Sequence, residues 1–219
     1  SIAGTVDIDL VARQSVVRRY LAVGTIAWSG FFVTDIVAAR VNDTPLEYLL
    51  SLRAVGAALG LMLYVLSRLR PFTRGQLRLF ESVLNPLAAL FVSLAAVGCG
   101  GLASPLALGV AIVTMMRSFL PSPWTRALPS ALASALLFPV VLLGWSLFAP
   151  ALRAQLDDRV QLWTFVQNSL FLLCAGVLAA SGSHLLWSAK EQLQDARKLG
   201  SYRLVARIGS GGMGVVWLA

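Results

Sequence analysis

The chain has 219 residues, of which 58% are hydrophobic and only 13% charged, with a mean hydropathy of +0.77. An ordinary soluble domain is about 45–50% apolar and about 25% charged, so this composition excludes a water-covered enzyme domain, a disordered chain and a disulfide scaffold. The net charge of +8 is distributed as short basic clusters between apolar runs. That is how membrane topology signals are arranged, so the lipid bilayer, and not nucleic acid, is the expected partner. Cys99 and Cys174 lack metal or redox spacing and read as small apolar packing residues.

A membrane span needs about 20 mostly apolar residues, and six segments qualify or nearly so: Tyr20–Ala39, Leu46–Leu66, Leu79–Gly98, Pro105–Leu120, Ser130–Ala149 and Leu162–Trp187. The fourth is short and opens at a proline, a tolerable first helical position. Pro86 and Pro139 fall inside the third and fifth and predict kinks there. The pattern predicts an all-α membrane protein built as a six-helix transmembrane bundle.

Orientation follows from the loops. One side collects Arg13, Arg18 and Arg19, the cluster Arg68–Arg78, Arg117 and Arg126, and the basic residues from Lys190 to Arg207. The other holds Arg40, Arg153 and Arg159 beside Asp43, Glu47, Asp157 and Asp158. The positive-inside rule makes the first side cytoplasmic, and an even number of spans then places both termini there. The outer loops are short, so any sensing falls within the bundle, at its outer rim, or in the lipid.

The last twenty residues become specific. Gly209, Gly211, Gly214 and Val216 fit G-x-G-x-x-G-x-V, flanked by the β-formers of Tyr202–Ile208 and Val215–Leu218. Strand, glycine turn, strand is the expected order; a dinucleotide fold would open a helix after its glycines. Glycines without Cβ let the backbone approach phosphates closely. Tyr202, Leu204, Ile208, Gly209, Gly211, Gly212, Met213, Gly214, Val216 and Trp217 together resemble the opening of the eukaryotic-like serine/threonine protein kinases of bacteria. The resemblance covers about a tenth of the chain.

The resemblance implies an ATP-binding loop formed by Ile208, Gly209, Ser210, Gly211, Gly212, Met213, Gly214 and Val216, with Ile208 and Val216 bracketing the adenine. It implies ATP and Mg²⁺ as cofactors of the full-length parent, dimeric trans-phosphorylation, and an inner-membrane location. The strand-three lysine, its partner glutamate and the catalytic-loop and magnesium-binding residues of such kinases are expected beyond Ala219. No catalytic residue or cofactor is therefore expected within this chain. The implied organisation is a cytoplasmic segment 1–19, a transmembrane sensor or anchor domain 20–188, a linker helix 189–199, and the β-hairpin start of a kinase N-lobe at 200–219.

Several other residues invite two readings each. Asp35 in the first span and Arg53 in the second fall at similar depth on antiparallel helices. They read either as a pair lining a ligand or ion site open to the outside, or as a structural ion pair or two side chains reaching separately to the interface. Glu81, Asn85 and Pro86 mark a broken-helix site or an interfacial acid followed by a kink. His184, the single histidine, reads as a pH sensor or as incidental, and no metal site is expected. Trp28, Trp124, Trp145, Trp163 and Trp187 suit interfacial anchoring better than a ligand cage. Leu186, Ala189, Leu193 and Ala196 have the 3-4-3 spacing of a short heptad seam, which reads as a homodimer contact or as one face of a solvated linker helix.

The leading expectation is the membrane-sensor portion of a kinase whose protein substrates are not specified. The alternatives are a transporter or channel-like bundle with an appended regulatory kinase, and a scaffolding subunit of a larger membrane complex.

Overall fold

In a computed structural model of the protein, residues 2–197, 206–211 and 214–218 are described. Helix α1 (Ile2–Gly30) and helix α2 (Phe32–Val41) follow one another with a single-residue break at Phe31, so that Arg13–Val41 forms one apolar stretch. Then come α3 (Leu46–Leu69), α4 (Arg74–Gly98), α5 (Ala107–Met116), α6 (Trp124–Ser146), the single turn α7 (Pro150–Ala154) and α8 (Arg159–Arg197). Strands β1 (Ala206–Gly211) and β2 (Gly214–Leu218) form an antiparallel pair.

The expected six spans are corrected to five helices long and apolar enough to cross a membrane among the described residues: Arg13–Val41, Leu46–Leu69, Arg74–Gly98, Trp124–Ser146 and Arg159–Leu193. The fourth expected segment folds as the shorter apolar stretch Ala107–Phe119. At 1.5 Å per residue that stretch is roughly 20 Å long, against a hydrocarbon core of about 30 Å. Its start is delayed by the positive φ of Gly100 and Gly101 and a 3₁₀ turn over Gly101–Ala103. Pro86 lies within a continuous α4, and Pro129 and Pro139 within a continuous α6.

Helices α4, α5, α6 and α8 make the centre of the bundle, packed through Ala89, Ala96, Val110, Phe138, Leu142 and Leu172. Without a hydrophobic drive between helices in lipid, small residues bring backbones close enough for dispersion contacts. Ala127 and Ala131 of α6 accordingly meet Ala179 and Ala180 of α8, and a Cβ on Gly176 would lie 3.3 Å from the Ala131 carbonyl oxygen. The outer faces are the reverse of a soluble protein's: Leu108, Val140, Leu143, Phe171 and Leu178 are exposed, the surface that hydrocarbon would cover.

Helices α1 and α3 form a hairpin against this centre. Its seam is a Gly-x-x-x-Gly pair on α3: Cβ atoms at Gly56 and Gly60 would lie 2.6 Å from Trp28 Nε1 and from Thr25 Oγ1 respectively. At the outer end, Thr44 Oγ1 donates to the Gly98 carbonyl at 2.6 Å and Tyr48 Oη to the Leu94 carbonyl at 2.5 Å, tying α3 to α4. A capping box fixes the other end of α4, where Thr73 Oγ1 accepts from Gln76 N and Gln76 Oε1 accepts from Thr73 N.

Helix α8 has 39 residues, roughly 58 Å, or about twice the thickness of the hydrocarbon core. It is continuous through Ala189, Leu193 and Ala196, so the expected linker is the same helix as the last span. Leu186 and Leu193, of the expected seam, are exposed.

Candidate functional site

The site is built where the α1–α3 hairpin leans on α4 and α5. Arg53, just under two turns into α3, points across the hairpin to α2. Its Nε donates to Asp35 Oδ2 at 2.7 Å and its Nη2 to Asp35 Oδ1 at 2.6 Å. The fork is bidentate, the geometry that suits guanidinium to carboxylate best. Arg53 Nη1 also donates to the Trp28 carbonyl at 3.2 Å, and Trp28 Nε1 donates to the Arg53 carbonyl at 2.9 Å. The guanidinium lies 4.7 Å from the Trp28 ring centroid, a cation–π contact strengthened where water is excluded. Asp35 is 1% exposed. Trp28 is the wall on which Arg53 rests, with Phe91 edge-on at 6.2 Å.

Below this pair lies a half-open cavity of about 170 Å³. Tyr20, Gly24 and Trp28 of α1, Gly56 and Leu63 of α3, Ala88 and Phe91 of α4, and Gly109 and Val113 of α5 contribute to its walls. Helices α1 and α5 both line it with few backbone contacts between them. Its opposite end carries a second polar group: Tyr20 Oη donates to Asn85 Oδ1, and Asn85 Nδ2 donates to the Val113 carbonyl at 3.2 Å. Asn85 therefore bridges α1, α4 and α5.

Glu81 is buried, and its electrostatic neighbours are Arg13, Arg117, Arg126 and Arg78. Arg117, expected in a cytoplasmic loop, is 1% exposed. Its Nη1 donates to the Leu120 carbonyl at 2.7 Å and to Ser183 Oγ at 3.2 Å, and its Nη2 to Ser122 Oγ at 2.6 Å. Ser183 Oγ donates in turn to the Leu120 carbonyl at 2.5 Å. This knot fastens α8 to the turn between α5 and α6. Sequence reading missed it because Arg117 sits at the edge of an apolar run, where a basic residue normally counts as a topology signal. Ser183, next to Gly182 on α8, carries no signal in the sequence that separates it from the helix's other small residues.

His184 lies between Trp187, stacked at 5.5 Å, and Trp124, edge-on at 6.2 Å. Outside the apolar helices, two groups among the described residues are shifted from their ordinary range. Burial pushes the Cys99 thiol up, and the Val160 and Gln161 backbone N–H groups at the start of α8 hold the Asp158 carboxyl below the ordinary carboxylate range.

Of the glycine-rich segment, Ile208, Gly209, Ser210 and Gly211 lie in β1, and Gly214 and Val216 in β2; Gly212 and Met213 lie outside the described residues. Gly211 pairs with Gly214 and Ser210 with Val215, with an irregularity between Arg207 and Gly209. Two strands of backbone pairing define no kinase lobe and complete no ATP pocket. No family model, curated protein or solved structure matches this chain.

Proposed function

We propose that this chain is the membrane-embedded sensor and anchor portion of a bacterial serine/threonine protein kinase, with the basic end of α8 cytoplasmic and the kinase domain opening near Gly200. The observation that carries the reading is the order of parts at the end of the chain. A single helix, α8, runs from the bundle core to Arg197, and the Ile-Gly-Ser-Gly-Gly-Met-Gly-Val-Val-Trp segment follows it in sequence. Mechanically, a change in how the α1–α3 hairpin sits on α4 and α5 would reach α8 through the Arg117–Ser183 knot. Movement of α8 would then alter the spacing of two kinase domains in a homodimer joined along Leu186, Ala189, Leu193 and Ala196.

ATP and Mg²⁺ belong to this proposal only through the full-length parent. Here the glycines offer a backbone that phosphate oxygens can approach closely, and no catalytic step is assigned to residues of this chain. The test is to incubate the full-length protein, in native membranes, with Mg²⁺ and γ-labelled ATP. Label on the protein, lost in Gly211→Glu, supports the reading. Absence of label above empty membranes, or label unchanged by Gly211→Glu, overturns it.

A further inference from the structure

The cavity beneath the Asp35–Arg53 pair has a shape, an open side and a guanidinium at one end, and together these define a class of ligand. It runs from Arg53 to Leu63 along α3, roughly 15 Å at 1.5 Å per residue, so it is a slot and not a sphere. An apolar cavity of about 150 Å³ suffices to hold a benzene-sized group, and this one is slightly larger at about 170 Å³. It is half open, and Ile112, one of its lining residues, is also exposed on the outer face of apolar helix α5. A molecule therefore enters from hydrocarbon.

The guanidinium end selects further. The Arg53 charge is already matched by Asp35 in a bidentate fork, so an anionic head would bring an uncompensated charge into a low-dielectric site. A guanidinium has five N–H groups, and three are engaged with Asp35 and the Trp28 carbonyl, which leaves donors for a neutral oxygen. We infer that the slot is a binding site for a neutral, lipid-soluble molecule, its carbonyl or hydroxyl oxygen at Arg53 and its apolar ring or chain lying along Gly24, Phe91 and Gly109. Prenyl quinones and diacylglycerols share this chemistry. The inference stands apart from the kinase reading, because it is read by binding and not by phosphorylation.

The test places the full-length protein in phosphatidylcholine nanodiscs and titrates decylubiquinone, following quenching of tryptophan fluorescence. 1,2-Dioctanoylglycerol is then added as competitor and titrated separately by its effect on thermal unfolding. A Cβ on Gly24 meets nothing closer than Met116 Cε at 3.8 Å, so Gly24→Ala is tolerated while Gly24→Phe fills the slot. Ile112→Phe narrows the slot from a lipid-exposed position and leaves the packing intact, so it serves if Gly24→Phe does not fold. Expected is saturable binding of at least one of the two probes, retained in Gly24→Ala and weakened at least tenfold in Gly24→Phe or Ile112→Phe. Saturation by the quinone alone, the glyceride alone, or both in competition identifies which source supplies the oxygen. Linear, non-saturating responses to both, as when bulk phospholipid fills the slot, overturn the inference. So does saturable binding that neither blocking variant changes.

Discussion

Arg117 and Ser183 are joined across 3.2 Å, and through that contact the turn after α5 is fastened to the helix that leaves the bundle. The same guanidinium holds the Leu120 carbonyl and Ser122, so removing Arg117 strips buried oxygens of a donor, and removing Ser183 strips the guanidinium of an acceptor. Hydrogen bonds to a charged group contribute about 1.5–3 kcal/mol each. In a double-mutant cycle, Arg117→Ala and Ser183→Ala are expected to be non-additive by about 0.5–3 kcal/mol in thermal or denaturant unfolding. Strict additivity would mean that the two side chains act independently and that the knot transmits nothing.

The Asp35–Arg53 fork invites the opposite experiment, because a buried ion pair is costly to break and inexpensive to replace. Arg53→Met leaves the Asp35 carboxylate, 1% exposed, without its cation, and a loss of about 3–5 kcal/mol is expected. Asp35→Leu combined with Arg53→Met removes both charges, and its stability is expected to return to within about 1–2 kcal/mol of the parent, since well-packed apolar replacements of buried pairs are often neutral. Unfolding of the protein in detergent micelles reads both. If the double variant is no better than Arg53→Met alone, the contact with Trp28 outweighs the pair.

The hairpin seam makes a steric prediction. A Cβ at Gly56 falls 2.6 Å from Trp28 Nε1, so Gly56→Val drives α1 and α3 apart, and a loss of about 1–3 kcal/mol is expected from overpacking. Gly144 on α6 has nothing within 4 Å of its added Cβ, so Gly144→Ala is expected to leave stability equal or slightly raised. Equal unfolding temperatures for Gly56→Val and the parent would show that the seam is loose.

The sequence made the membrane class legible because composition and apolar run length report directly on the solvent a helix meets. Asp35 and Arg53 were placed at like depth by counting along two antiparallel runs, which needs no knowledge of packing. What could not be read is whatever depends on which faces meet. Gly56 and Gly60 form a Gly-x-x-x-Gly pair whose partner, Thr25 and Trp28, becomes visible only when α1 is laid against α3. Arg117 looked like a loop charge because its burial depends on α8 returning beside it, 66 residues later. The span count failed at Pro105–Leu120 for a local reason: two glycines at positive φ and a 3₁₀ turn use up residues that a full-length helix would need. The glycine-rich segment remains legible as a motif, and its chemistry rests on the labelling experiment.

The start of α8 gives a pH-dependent prediction outside the membrane. Asp158 Oδ1 accepts from Val160 N at 2.8 Å and from Gln161 N at 3.3 Å, while Oδ2 accepts from the Gln161 side chain. These donors and the positive end of the helix dipole favour the charged carboxylate, which lowers its folded-state pKa. A carboxyl whose pKa is lower when folded binds more protons unfolded, so stability rises with pH across the interval between the two values. The contribution is fully present above the ordinary carboxylate range and is lost as pH falls through the lowered folded-state value. Asp158→Asn keeps a capping oxygen without the titration, so its unfolding temperature is expected to fall less than the parent's between pH 6 and pH 3 (about the interval that brackets an ordinary aspartate). Asp158→Ala is expected to be less stable than Asp158→Asn at pH 7, where only the cap distinguishes them. Parallel acid limbs for the parent and Asp158→Asn would show that the capping carboxylate does not set the acid sensitivity of α8.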